Sequence, residues 1–458
     1  MTESTDLRRS LGFTDLLLIT IGTVIGSGIY LVPSLVLRQT GGQTSLALIV
    51  WAVAGILSLL GALTYAELGG MKPEAGGLYA YLRDAFGPLP AFLYGWASFL
   101  VIASGSIAAL AVAFANYLAP LLPFAVPRPL ISVVTIAIVA VINVRGTRGS
   151  ATVQNWTTGA KAGALLILSV FLILAGDGAA STSAPPLAPP GGSLAAGLGA
   201  AMIGVLWAYE GWQYVTFSAG EAKDPQRTFP RAISIATLLL ILLYLLANMG
   251  YVAALGPIAA ANSERVAADA IESVVGSVAG AIVSALILVS IFSALNGLVL
   301  TTPRMYFAMA RDGLFFKRLA AVHPKFGTPA IAIITLTAWA ALLAASGTFE
   351  QLLTYAVFTG WIFYGLGTMA VFAFRRTQPN AVRPFRVPGY PVTPLLFVAA
   401  AAVLVLNTIW TQPVRASVGL GFVALGAPVF FIWRALARKA SGQAPAAAAG
   451  VGDSPRVS

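Results

Sequence analysis

Long apolar stretches, separated by short polar segments, account for almost all of the 458 residues. Taking about 17 to 25 mainly apolar residues as the length that crosses a bilayer as a helix, twelve intervals qualify. They lie near 14–37, 46–68, 88–117, 129–144, 152–175, 195–217, 231–255, 274–309, 328–346, 349–374, 392–409 and 415–436. The spacing predicts an all-α, multi-pass membrane protein: a polar N-terminal tail over 1–13, a twelve-helix domain over 14–436, and a disordered tail over 437–458. Residues 176–193, rich in Ala, Ser, Gly and Pro, read as a flexible loop. The five prolines between 376 and 394 disfavour regular helix. The mixed segment 256–273 predicts a short surface helix. The first span reads as uncleaved, because more spans follow and no small-residue cleavage site does.

Two spans break the pattern. The first, Thr14 to Leu37, carries Gly22, Gly26 and Gly28 at its middle. The sixth carries Trp207-Ala208-Tyr209-Glu210-Gly211-Trp212, a carboxylate beside a glycine at membrane depth. Interrupted membrane helices free backbone groups, which lipid does not tolerate unless they line a cavity. Their spacing of five spans suggests two halves, about 14–175 and 195–374, each led by a broken helix, with extra helices over about 392–436. The chemistry follows from the breaks. Unpaired N–H groups at Ile25-Gly26-Ser27-Gly28 suit a carboxylate. Carbonyls of Ile21, Gly22, Trp207 and Ala208 suit an ammonium. Trp207 and Tyr209 serve as wall or gate, and Glu210 beside Gly211 as a gating or coupling carboxylate. Glycines that merely allow close helix packing, and aromatics that anchor at the interface, are the competing readings. Lys161, inside the fifth span, either snorkels to the membrane edge or binds polar groups at the first break.

Composition narrows the class. The chain is 58% hydrophobic and 9% charged, with mean hydropathy +0.86, against about 25% charged in soluble domains. It has no cysteine and a single histidine, His323, so no metal centre and no cofactor are expected. The net charge of +11 is explained by topology. Arg38, Arg128, Arg265 and Arg415 fall in alternate, outer segments and Lys161 inside a span; every other Lys and Arg shares a side with the N-terminus. This bias places both termini in the cytoplasm, makes anionic lipids the natural partner of the basic rim, and removes the case for nucleic acid. Inner-side charges, among them Glu67, Lys72, Glu74, Glu221, Arg304 and Asp312, read singly as a solvated rim, with crossing ion pairs that latch an inner gate as the competing reading. No nucleotide-binding motif supports ATP-driven transport, and nothing points to an enzyme.

Four motifs carry a family resemblance: Ile21 to Tyr30; Tyr65-Ala66-Glu67-Leu68-Gly69 with Lys72 to Tyr79; Trp207 to Trp212 through Glu221, Lys223 to Arg227 and Pro230-Arg231; and Arg304 through Arg311-Asp312-Gly313-Leu314 with Phe326 to Pro329. With these, the chain resembles the amino acid–polyamine–organocation (APC) transporters, closest to the L-amino-acid transporter branch and its bacterial relatives. The resemblance implies a LeuT-like fold, with a 5+5 inverted repeat and two additional C-terminal helices, working by alternating access in the plasma membrane. It implies that Gly26-Ser27-Gly28 holds the substrate carboxylate, that carbonyls of span six hold the amino group, and that Lys161 links the broken first helix to span eight in place of sodium. The implied activity is transport of small or neutral L-amino acids, by sodium-independent exchange or with a coupling proton. A polyamine or cationic amino acid carrier and a non-transporting amino-acid sensor are the alternatives. Without cysteine, no heavy-chain disulfide partner is expected.

Overall fold

The structure, a computed structural model, describes residues 7, 9–177, 194–346, 349–411 and 413–440. The loop expected over 176–193 and the tail expected over 437–458 lie largely outside these residues.

The first apolar stretch is two helices, α1 (Phe13–Val24) and α2 (Gly28–Gln39), bent by 44° at the glycine-containing break. The start of α1 is held by Asp15, whose carboxylate accepts the Gly12 N–H at 2.8 Å, Arg148 Nη1 at 2.6 Å and Asn155 Nδ2 at 2.6 Å. An acidic group in a first turn satisfies an unpaired N–H and opposes the positive end of the helix dipole. The chain continues through α3 (Thr44–Met71), the short amphipathic α4 (Leu78–Phe86), α5 (Pro88–Ala97), a π-helical turn at Ser98–Ile102, α6 (Ala103–Leu118), α7 (Arg128–Val144) and α8 (Thr147–Ala175). Then come α9 (Leu194–Ala208), a 3-10 segment at Trp212–Glu221, α10 (Pro225–Leu255), α11 (Pro257–Asn262), α12 (Val266–Val275), α13 (Ser277–Thr301) and α14 (Pro303–Arg311). Last are α15 (Ala330–Ser346), α16 (Phe349–Thr377), α17 (Val392–Thr411) and α18 (Pro413–Ala440).

Every one of the twelve expected intervals coincides with helix, but by the criterion of length and hydropathy eight helices among the described residues can cross a membrane, or nine with the α1–α2 pair counted as one span. The 17-residue α7 and α15 fall short of its length requirement, and the sixth interval fails because its second half is 3-10 rather than α. Over 256–273 there are two short helices, not one, and α12 is half-buried: Val266, Ala267, Ala268, Ala270 and Ile271 are buried against α13 and α10, while Glu272, Ser273 and Val275 are exposed. The helix α4 had no counterpart among the expected elements. Its nine residues are too few to span, so a search for membrane-length stretches passes over it.

Around the break, α1 packs against α8, α10 and α13, while α2 packs against α9. The buried residues of this inner group mix branched aliphatic side chains with small ones, as in Ile19, Gly22, Val24, Ser290, Ala294 and Leu298. The outward faces carry residues such as Ile49, Ile167, Leu174, Leu239 and Leu242 in the exposed state, as expected of helices solvated by hydrocarbon. One end of the bundle carries Leu11, α4 and α14, and the opposite end carries α11 and α12.

Candidate functional site between two broken helices

Thr23 to Gly28 and Trp207 to Gly211 form one centre. The Thr23 hydroxyl donates to the Gly211 carbonyl at 3.0 Å. The Tyr244 hydroxyl on α10 lies 3.1 Å from the Val24 carbonyl and 3.3 Å from that of Ala208, so it can donate to either break. Close approach depends on two glycines. A Cβ on Gly211, whose φ is +134°, would lie 2.6 Å from the Thr23 carbonyl oxygen, and one on Gly28 would lie 2.9 Å from Ala208 Cα. Both breaks are therefore packed through backbone.

Lys161, with 1% of its surface exposed, does not snorkel. Its ammonium donates to the Gly22 carbonyl at 2.7 Å, to the Ile25 carbonyl, and to the Ser290 carbonyl on α13 at 3.2 Å. The Ser290 hydroxyl also donates to the Ile25 carbonyl at 3.2 Å. The carbonyls freed at the end of α1 are thus satisfied by a fixed cation that ties α1 to α8 and α13.

A cavity of about 60 Å³ opens between the breaks. Of the residues singled out from the sequence, Gly26, Ser27, Gly28, Trp207, Ala208 and Glu210 line it. Ile21, Gly22, Ile25, Tyr209 and Gly211 stand behind its wall. Gly22 is packed on Gln154 and Thr158. Tyr209 belongs to a buried aromatic cluster with Trp51 and Tyr244, its ring centroid 5.8 and 5.0 Å from theirs. Gly26 differs from the other break glycines: a Cβ there would meet Ala294 and Leu110 at 3.6 Å and the Val24 carbonyl oxygen at 4.0 Å, ordinary contact distances, so packing does not require glycine at this point of the cavity wall.

Ser27, Gly28 and Ile29 begin α2, and their N–H groups have no preceding turn to bond. Among the described residues, the buried Ser27 Oγ and Glu210 Oε2 have no hydrogen-bond partner; Glu210 Oε1 accepts from the Tyr364 hydroxyl on α16 at 2.8 Å. One rim thus offers N–H donors at the positive end of a helix, and the facing rim offers a carboxylate. Sequence reasoning missed the rest of the lining: Thr23 and Val24 at the end of α1, Ser106, Ala109 and Leu110 on α6, Tyr214, and Ala294 and Leu298 on α13. The only signal for them was polar and small residues within apolar spans. It also missed the buried amide network below the site, where Asn143 Nδ2 donates to Asn296 Oδ1 and Asn296 Nδ2 to Gln154 Oε1, both at 2.9 Å.

The end bearing α4 and α14 is latched. Arg304 Nε donates to Glu221 Oε1 at 2.6 Å and Arg304 Nη2 to Thr147 Oγ1 at 2.9 Å, with both ion-pair partners fully buried. Arg83 bonds Asp312 at 2.6 Å and Asp84 at 2.8 Å, Lys72 pairs with Asp84, and the Tyr79 hydroxyl donates to Asp312 at 2.7 Å. Burial pushes the Asp84 carboxyl up, but Arg83 and Lys72 outweigh it and hold the group below the usual carboxylate range. The Leu11 carbonyl accepts the Lys223 N–H at 2.7 Å and closes the same end.

Two broken helices back to back, a cation seated at one break and a cavity at membrane depth are transporter architecture, and the comparisons with known proteins agree. The family model for amino acid permeases matches residues 11–432. The chain belongs to the amino acid permease family. It is 33% identical to the serine/threonine exchanger SteT of Bacillus subtilis (strain 168), over 94% of this chain and 98% of that protein. It is 33% identical to the mouse (Mus musculus) large neutral amino acids transporter small subunit 2, over 93% and 81%, and 31% identical to the human (Homo sapiens) cystine/glutamate transporter, over 94% and 86%. The permease is thus an amino acid transporter, not an enzyme, and a multi-pass membrane protein with the fold of the APC transporters.

Proposed function

We propose that this permease is a secondary active transporter that exchanges small or neutral L-amino acids across the plasma membrane, independently of sodium, by alternating access. Its N-terminus and the latched end face the cytoplasm, as the bias of Lys and Arg requires. The observation that carries the reading is Lys161. Its ammonium occupies the carbonyl cluster of Gly22, Ile25 and Ser290, where a coupling cation would otherwise be needed to satisfy the broken helix.

The substrate carboxylate lies on the N–H groups of Ser27, Gly28 and Ile29, joined by the Ser27 hydroxyl. The α-ammonium faces the Val24 and Ala208 carbonyls and Glu210. Ala109, Ala294 and Leu298 surround the side chain, and the cavity lining holds no Lys or Arg to neutralise an acidic one. The names of the relatives, exchangers among them, support exchange. The test is counterflow of a labelled amino-acid panel into sodium-free proteoliposomes, loaded or empty. Exchange requires uptake only into loaded vesicles. Uptake into empty vesicles that rises with an inward proton gradient would replace exchange with proton symport. Binding without counterflow would make the protein a sensor. Glu210 favours a second reading, a cationic or polyamine substrate, and competition by putrescine but not by neutral amino acids would establish it.

A further inference from the structure

A second cavity, of about 450 Å³, lies at the end bearing α11 and α12. Leu31, Asn116, Tyr117, Glu264, Arg265 and Ser284 are among its lining residues. Three helices connect it to the deeper cavity. Going from one to the other, α2 runs from Gly28 to Leu31, α6 from Leu110 to Asn116 and Tyr117, and α13 back from Ala294 to Ser284. At 1.5 Å per helical residue these steps are about 5, 10 and 15 Å in one direction. The second cavity therefore stands above the first on the same wall.

Its charges are held in place by the turn before α12. The Arg265 N–H donates to Ser263 Oγ at 3.0 Å, and Ser263 Oγ donates to Asp269 at 2.6 Å. The Arg38 guanidinium ties α2 to this segment through the Ala261 carbonyl at 2.8 Å. Arg265 touches Asp269 through one nitrogen at 3.3 Å, with the two side chains 57% and 32% exposed. A solvated pair of that kind is weak, so the guanidinium can take a second carboxylate in bidentate fashion. Glu264 is the adjacent anion. One cation and one anion, flanked by the neutral polar groups of Asn116, Tyr117 and Ser284, match the two charges of a free amino acid.

We infer that this chamber is a loading site for the incoming zwitterionic amino acid, Arg265 receiving its carboxylate and Glu264 its ammonium before it descends along α2, α6 and α13. The inference rests on the transporter reading above, with the α11–α12 end outside. It is tested by kinetics from each side, using labelled serine on whole cells for the outer face and on inside-out vesicles for the inner face. Arg265→Gln and Glu264→Gln each raise the outer KM about tenfold, the loss of one charge-assisted hydrogen bond. The maximal rate and the inner KM stay at wild-type values, because neither residue lines the deeper cavity. An unchanged outer KM in both variants overturns the loading site, as does an equal rise on both faces, which would mean a general structural effect. Glu264 is exposed, so its variant tests the site even if Arg265→Gln does not fold. Failure of wild-type protein to transport any amino acid would count against the transporter reading instead.

Discussion

Lys161→Met keeps much of the side chain's length and removes its charge. In the folded protein Lys161 donates to the Gly22, Ile25 and Ser290 carbonyls and is 1% exposed. A hydrogen bond to a charged group contributes about 1.5–3 kcal/mol net, and a buried group left unpaired costs about 1–3 kcal/mol. The three bonds are not worth their sum. The Ser290 carbonyl lies inside α13 and keeps its in-helix N–H partner, Ile25 keeps the Ser290 hydroxyl, and the charged lysine itself loses hydration on burial. The Gly22 carbonyl loses its cation with no side chain in its place, so a net effect of about 2–4 kcal/mol is reasonable. Part of it falls on folding and the rest on the population of the correctly bent α1–α2 break, where 1.4 kcal/mol is a factor of ten. The assay is counterflow per molecule of monodisperse, folded protein in sodium-free liposomes, beside thermal unfolding of the same sample. Transport falls about tenfold or more while the protein still inserts and purifies. Wild-type turnover and wild-type unfolding temperature in Lys161→Met would refute the claim that this ammonium organises the site.

Gly26→Leu abolishes substrate binding with little change in thermal stability, since its side chain enters the cavity; Gly211→Ala does the reverse, destabilising by about 1–3 kcal/mol through the strained φ and the clash with Thr23. Paired binding and unfolding assays separate them, and equal behaviour would overturn the assignment of wall and scaffold. Arg304→Met costs about 3–5 kcal/mol by stranding the buried Glu221, whereas Arg304→Met with Glu221→Leu recovers most of it, read as unfolding temperature. At the latch, Asp84 titrates below its unfolded value near 3.9. Its contribution is fully present above that unfolded value and is lost as pH falls through the lower folded value, so Asp84→Asn produces the same small stability loss, about 1 kcal/mol for a pair whose side chains are 21% and 19% exposed, at every pH from 5 to 8.

Gly26, Glu210 and Lys161 stood out in the sequence because each violates what a lipid-facing helix permits: a backbone interruption or an ionisable group at depth needs a cavity or a partner. The rule identifies the violation but not its resolution. Lys161 could have turned to the membrane edge or to the first break; the choice depends on Gly22, Ile25 and Ser290 arriving from two other helices. Tyr209 and Trp207 are two positions apart and equally aromatic, yet one enters the Trp51–Tyr244 cluster and the other the cavity wall. That division is decided where α9 stops and its 3-10 continuation begins, and end positions are the least legible part of a helix. Ser106, Ala109 and Ala294 leave no mark of their own, since small residues in membrane helices serve packing as readily as a cavity. The latch shows the same limit from the charged side. Glu221 and Arg304 looked like members of a solvated rim, and the difference between rim and fully buried pair lies in Thr147, which supplies the further hydrogen bond that makes burial of the guanidinium tolerable. Violations of the apolar pattern therefore mark where function lies, and the partners that make each violation stable are written in residues that violate nothing.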